Sequence, residues 1–431
     1  MKVVAFLPAK GSSERVPNKN LQLLDGKPLF LRTLEKLLSC TFIDEVYLDS
    51  ESDNIFRAAS YLDFKPLRRD PALATNATDG HELFYNEVRQ VDADIYIQVL
   101  CTSPFIEKET IRQGVEILKT DPCFDSVVLV KREKQYLWES QEPLYGRGRI
   151  PNSIDLAPIT IETMGLYLVR KEVALQTRKR FGQKPYLLEA KPLEAIDVNI
   201  PEEFELANLI AAGKREKERK QFNNLRNTLS SALLSDILDN LGAASVVGNL
   251  APNFPHAKIL GRAKTLRLRS LQDGEDYRGI YDALKSYHWI VSNDVIVVEN
   301  QIPQYAYFGE LNAHLALRAG AVGAIIGGNT RDIAETIRLN FPVFATGTAC
   351  RDVKGRATLA AINERVHLSG VPVLPDDLIF ADKEGVVVIP KPLEAEVMKQ
   401  AIEACRKEQN IRLGIALSTD IDSLIETFGE F

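Results

Sequence analysis

Residues 8–20, Pro8-Ala9-Lys10-Gly11-Ser12-Ser13-Glu14-Arg15-Val16-Pro17-Asn18-Lys19-Asn20, gather residue types that handle an anion. They follow an apolar run at 3–7 that reads as a buried strand. A glycine and two serines at a strand end, Gly11, Ser12 and Ser13, let backbone N–H groups approach an anion without side-chain obstruction. Lys10, Arg15 and Lys19 place three cations around the turn. Such a loop suits a triphosphate, whose charge must be matched before a nucleophile can approach. The spacing is neither that of a P-loop nor that of GxGxxG.

A second constellation lies far along the chain. Gly309-Glu310-Leu311 opens an apolar helix, and Asn329-Thr330-Arg331-Asp332 closes a glycine-rich strand, with twenty residues between Glu310 and Arg331. The five cysteines, at 40, 101, 123, 350 and 405, form no CxxC pair. They fit reduced thiols better than a disulfide framework or a zinc site. The five histidines show no ligand spacing such as HExxH.

These residues need a scaffold, and 431 residues are too many for one ordinary core, so two domains are expected. Hydrophobic residues make up 45% and charged residues 26%, as in globular proteins. The net charge of −6 with no isolated basic stretch argues against a nucleic-acid partner. No apolar run reaches the ~18–20 residues that span a bilayer, so no membrane association is expected. The opening residues lack a signal pattern, and a cytoplasmic location is the expectation.

From 1 to 212, apolar runs at 3–7, 45–49, 95–100, 126–130 and 163–169 alternate with amphipathic stretches such as 29–38 and 108–118. This predicts an α/β domain with a mostly parallel sheet, whose ligands sit beyond the carboxyl ends of strands. A mixed-charge segment, 213–222, reads as a solvated helical linker. From 223 to 431 a helix at 225–241, strands at 263–268 and 295–298, a helix at 311–319, a strand at 321–328, further strands at 371–374 and 385–390 and a long helix from about 393 predict a second α/β domain.

The loop at 8–20 resembles the signature of the CMP-sugar cytidylyltransferases, close to PARGGSKGIPxKN, with Lys10 where Arg is usual. Gly26-Lys27-Pro28-Leu29, Asp49-Ser50-Glu51, Arg69-Asp70-Pro71, Thr102-Ser103-Pro104 and Asp197-Val198-Asn199 continue the resemblance in the family's order. It implies a Rossmann-like nucleotidyltransferase fold and attack of a 2-keto-3-deoxy sugar acid on the α-phosphate of CTP. Lys10, Arg15 and Lys19 are expected to stabilise the departing pyrophosphate. Ala9, Gly11, Ser12, Ser13, Asn20, Arg69, Thr102 and Ser103 are expected to bind the nucleotide, with Asn20 reading the cytosine. Asp197 and Asn199 offer oxygens for Mg²⁺. The family's Gln-Pro-Thr-Ser-Pro-Leu-Arg is here Leu100-Cys101-Thr102-Ser103-Pro104-Phe105-Ile106, and its second metal-site Asp is Asn199, so nucleotide handling is better supported than sialic acid as acceptor. In that family the segment corresponding to 131–151 extends to a partner subunit.

The second constellation resembles the RraA-like proteins and the pyruvate aldolases that cleave 4-hydroxy-4-methyl-2-oxoglutarate, marked by Asp-x20-Arg-Asp. Gly261-Arg262-Ala263-Lys264-Thr265 and Lys354-Gly355-Arg356 support it. The resemblance implies Asp332 beside a divalent ion, Mg²⁺ or Mn²⁺, Arg331 on a pyruvate oxygen, Glu310 moving a proton, and amides after Gly309 holding the pyruvate carboxylate. Glu310 stands where the aldolases mostly have Asp. A catalytically silent module for assembly or regulation is the alternative. A homo-oligomer, dimer or hexamer, is expected.

Overall fold

The computed structural model describes residues 1–13, 16–75, 77–243 and 245–429. The chain divides into two compact units, Met1–Ile210 and Ala211–Phe431.

The first unit is built on one sheet of seven strands, β1 (Val3–Pro8), β2 (Glu45–Ser50), β3 (Lys65–Arg68), β4 (Ile95–Val99), β5 (Ser126–Glu133), β6 (Ile159–Arg170) and β7 (Pro185–Glu189). Their order is β7-β5-β6-β4-β1-β2-β3. Only β6 runs antiparallel to its neighbours. β1 and β4 are buried along their whole length, as their uninterrupted apolar character requires of strands covered on both faces. Helices α1 (Leu29–Leu38), α2 (Gly80–Val88) and α3 (Lys108–Thr120) accompany the sheet. Leu29, Phe30, Leu34 and Leu37 bury one stripe of α1, the spacing of an amphipathic helix. The loops after β1 and β4 therefore leave the sheet at the carboxyl ends of parallel strands, where open α/β sheets bind ligands.

Helix α4 (Pro201–Arg226) contains the whole 213–222 segment. Its charges are not all solvated. Arg215 Nη1 lies 3.0 Å from the fully buried Asp294 Oδ1, and Glu218 Oε1 accepts from Arg262 Nη2 at 2.5 Å. The helix expected at 225–241 is two elements: α4 stops at Arg226 and a new helix, Ser231–Asn240, starts behind Ser230, whose side chain accepts the Leu233 N–H at 3.2 Å. A serine inside an apolar stretch acted as a cap and broke the run.

The second unit carries a ten-stranded sheet. Its centre is four parallel strands, β8 (Ile259–Ser270), β9 (Asp294–Asn300), β10 (Gly323–Thr330) and β11 (Val343–Thr348). The hairpin Leu378–Asp382/Gly385–Ile389 adds antiparallel to β8. Helix α5 (Glu310–Ala319) leads into β10. No helix among the described residues is long and apolar enough to cross a membrane.

Candidate functional site

The loop after β1 borders a cavity of about 610 Å³ within the first unit. Lys10, Ser12, Ser13, Lys19, Asn20, Arg69 and Thr102 all line it, so the structure brings most of the expected nucleotide residues to one place. Arg15 lies outside the described residues. Ala9 is buried behind the cavity, its N–H donating to Asp49 O at 2.8 Å.

Two expected roles change. The Gly11 N–H donates to Glu51 Oε1 at 2.7 Å, so this amide is taken up within the protein and not held open for a phosphate. A Cβ at Gly11 would overlap the Ser52 side chain; the glycine allows the loop to pack against residues 51–52. Ser103 is 1% exposed and does not line the cavity. Its hydroxyl faces Gly165, where a Cβ would come within 2.5 Å of Ser103 Oγ. The Thr-Ser-Pro turn points its threonine, not its serine, at the cavity.

Asn20 donates from Nδ2 to Lys10 O at 2.7 Å and accepts from Cys101 Sγ at 3.0 Å. One side chain thereby ties the start of the loop to the turn after β4, and a second N–H of its amide remains for a base edge. Cys101, which the sequence reading left without a role, lines the cavity fully buried. Burial pushes its thiol up to about 11, so it stays a neutral donor to Asn20. Lys19, 8% exposed, donates from Nζ to Val198 O at 2.8 Å, bringing its charge against the 197–199 turn.

Arg69 is held from behind. Its Nε and Nη2 reach the Asp49 carboxylate at 3.1 and 2.8 Å, and Nη2 also donates to Asp49 O at 3.0 Å. Glu87 adjoins this pair, and Gln98 Nε2 donates to Glu87 Oε2 at 2.5 Å. Burial first, and then the neighbouring Asp49, raise the Glu87 carboxyl well above its ordinary value. A second carboxylate charge this close in a dry interior is disfavoured, so Glu87 keeps its proton beside the Arg69–Asp49 ion pair. Asp49 and Glu87 form a wall that fixes Arg69 before any ligand arrives.

Asp197 Oδ2 accepts from Asn199 Nδ2 at 2.5 Å, while Asp197 Oδ1 is buried with no hydrogen-bond partner. The Asn199 backbone N–H donates to Glu203 Oε2 at 2.6 Å, at the start of α4. Neither Asp197 nor Asn199 lines the cavity, but Lys19 joins their turn to it, and an unpartnered carboxylate oxygen suits Mg²⁺, which takes one or two carboxylates plus substrate oxygens. Among the described residues no three acidic, histidine or cysteine side chains converge, so a cage made wholly of protein is absent there. Arg180 also lines the cavity, 6% exposed. It lies outside every sequence motif considered above, and only its burial in the folded chain marks it.

In the second unit Glu310, Arg331 and Asp332 do meet, at the start of α5 and the end of β10. Arg331 Nη2 is 2.9 Å from Asp352 Oδ2, and its Nε is 3.6 Å from Asp332 Oδ2. The Glu310 N–H donates to the same Asp332 oxygen at 3.2 Å. Asp332 has φ 54°, in the left-handed region, which turns its carboxylate back onto the helix start. A Cβ at Gly309 would overlap that carboxylate. The helix-start amide expected for a pyruvate carboxylate is thus capped by Asp332. Asp332 serves an amide and a guanidinium, and the three acids supply no open cluster, so these residues fit a divalent ion poorly. Asp352, which no motif singled out, is the ion-pair partner of Arg331.

A mixed sheet with a cationic loop after its first strand and a cavity beside that loop makes the first unit an α/β domain with a cation-lined cavity. The family described as "Cytidylyltransferase" matches residues 4–141, and that described as "Aldolase/RraA" matches residues 231–388. Among curated relatives, the "Putative 4-hydroxy-4-methyl-2-oxoglutarate aldolase" of Halalkalibacterium halodurans is 30% identical over 175 residues, 40% of this chain and 79% of the relative. The 3-deoxy-manno-octulosonate cytidylyltransferase of Flavobacterium johnsoniae is 27% identical, covering 50% of this chain and 89% of the relative. Protein DlpA of Legionella pneumophila is 30% identical over 46% of this chain, which spans only 32% of DlpA. The chain belongs to the Aldolase/RraA family through its C-terminal half, and its N-terminal half resembles the CMP-sugar cytidylyltransferases.

Proposed function

We propose that the first unit transfers a cytidylyl group from CTP to the anomeric hydroxyl of a 2-keto-3-deoxy sugar acid, forming a CMP-linked acid and releasing pyrophosphate. The observation that carries this reading is the cavity of about 610 Å³ with Lys10, Ser12, Ser13 and Lys19 on one loop and Asn20, Arg69 and Thr102 beside it. Lys10 and Lys19, with Arg15 of the same loop, meet the negative charge that develops on the leaving pyrophosphate. Arg69, fixed by Asp49, and Thr102 orient the nucleotide. Asn20 offers its remaining amide N–H to the cytosine. Mg²⁺, when bound, screens phosphate charge, and Asp197, with the Asn199 carbonyl oxygen, is the group that would hold it. Exposed apolar side chains at Trp138, Leu144, Ile150 and Ile154 support self-association as a dimer or higher homo-oligomer, and a cytoplasmic location accords with the free thiols.

For the second unit, the meeting of Glu310, Arg331 and Asp332 supports a pyruvate aldolase. Arg331 would hold the pyruvate carboxylate through its fork. The closed network of Arg331 with Asp352 and Asp332 favours the other reading, a module that assembles or regulates without catalysis.

The deciding experiment is pyrophosphate release from CTP with Mg²⁺ across N-acylneuraminate, 3-deoxy-manno-octulosonate, pseudaminate and N,N'-diacetyllegionaminate. Release with one acid supports cytidylyl transfer; none with any acid sinks it. Pyruvate release from oxaloacetate or a 2-keto-3-deoxy acid, absent in the native chain or surviving Arg331→Ala, removes the aldolase reading.

A further inference from the structure

Arg180 is a buried cation with no carboxylate at ion-pair distance among the described residues. It is 6% exposed, lines the first unit's cavity and forms no ion pair among the described residues. Its Nε is buried without a hydrogen-bond partner. The guanidinium lies over the Tyr167 ring, 5.0 Å from the centroid. Asp79 is the nearby acid and feels the Arg180 charge, but it makes no ion pair with it, and its Oδ1 caps α2 by accepting the His81 and Glu82 N–H groups at 2.7 and 2.9 Å.

The surroundings are shaped around this side chain. A Cβ at Gly80 would overlap the Arg180 guanidinium, so glycine as the first residue of α2 leaves the cation its present place and a larger residue would push it aside. The Arg180 backbone N–H donates to His81 Nδ1 at 3.1 Å, which fixes the segment from the other side. Holding a guanidinium out of water without a hydrogen-bonded anion is costly. A ring face offsets only part of that. A buried guanidinium in the cavity wall, with an Nε that has no hydrogen-bond partner, is placed to meet an anion on a ligand that fills the cavity.

In the cytidylyl-transfer reading, Lys10 and Lys19 on the loop after β1 are taken by the phosphates of CTP. Arg180 comes from a different segment, beside α2, and shares its part of the cavity with Thr75, Thr78 and Leu83. Hydroxyls next to one buried fork suit a polyhydroxylated acid, whose planar carboxylate takes two parallel N–H bonds. We propose that Arg180 is the anchor for the acceptor's carboxylate and sets the first unit's preference for acids over neutral sugars; this rests on the cytidylyl-transfer reading above.

Two variants test it, Arg180→Lys, which keeps the charge and loses the fork, and Gly80→Ala, which keeps the arginine and displaces it. With whichever acid supports turnover, both raise KM for the acid tenfold or more and leave KM for CTP within twofold. The native chain discriminates against the carboxamide of that acid, and Arg180→Lys does not. Unchanged KM for the acid in both folded variants, or a rise in KM for CTP instead, overturns the proposal and leaves cytidylyl transfer standing. Should no acid be turned over, cytidylyl transfer itself falls. Calorimetric titration of the same four acids then judges Arg180 separately: binding to the native chain that both variants lose sustains it, and equal binding, or none, overturns it.

Discussion

The two units use charge in opposite ways. The first buries charged side chains around or beside its cavity and leaves some of their polar atoms unsatisfied: Arg69 is fixed from behind by Asp49, and Arg180 Nε and Asp197 Oδ1 have no hydrogen-bond partner. The second unit places Arg331 and Asp332 at 39% and 43% side-chain exposure and closes them on Asp352 and the Glu310 amide. Charges in a dry wall act strongly on a ligand because little water screens them; exposed charges already paired with each other have little left to give. Matching residue types in two places thus does not make two equally prepared sites.

The comparison breaks most visibly at Asp49. Asp49→Ala leaves Arg69 buried without its anion, and a loss of about 3–5 kcal/mol is expected in denaturant unfolding; a loss under about 1 kcal/mol shows that Arg69 was never held this way. Lys19→Met should slow pyrophosphate release by about 10²–10³-fold, the usual consequence of removing one preorganised donor at developing charge. A change below tenfold puts the leaving group elsewhere.

The second unit stores its own buried charge away from the Arg331 network, and pH reads it. Burial pushes Asp294 up to about 6, with Lys264 and Arg215 opposing. A carboxyl whose folded value lies above its unfolded one favours the fold at low pH, and that benefit is lost as pH rises through the folded value. The native chain should therefore lose about 3 kcal/mol relative to Asp294→Asn between about pH 4 and pH 6. Parallel pH profiles for the two proteins contradict this. The smallest effect is Gly309→Ala, about 1 kcal/mol at most. Its methyl meets the end of the Asp332 side chain and, at 3.2 Å, Arg331 Cγ, both on exposed side chains that can shift, so a larger loss would mean the exposed network is stiffer than its exposure suggests.

The apolar runs of β1, β4 and the first half of β5 were legible because strands buried on both faces read as continuous hydrophobic text. The cationic loop was legible because an anion site needs flexibility and charge together. Arg180 was not: a lone arginine in a charged surface-like stretch, Arg178-Lys179-Arg180, gives no sign of burial until Gly80 is seen against it. Gly11 read as an anion cradle because glycine serves close packing and open amides equally well, and only the position of Glu51 distinguishes them. Ser103 and Thr102 are adjacent in a turn, and which one faces the cavity is set by strand β6 packing behind them. The break at Ser230 was hidden because hydrophobic periodicity continues on both sides of a cap.

Cys101 carries a chemical consequence. With its thiol displaced to about 11, about one molecule in ten thousand is thiolate at neutral pH, so alkylating reagents and mild oxidants should modify the exposed Cys123 and Cys350 and pass it by. Sulfur in the wall of this cavity supplies polarizable bulk and one proton to Asn20, and the chamber should tolerate oxidative conditions that would inactivate a site built around a reactive cysteine.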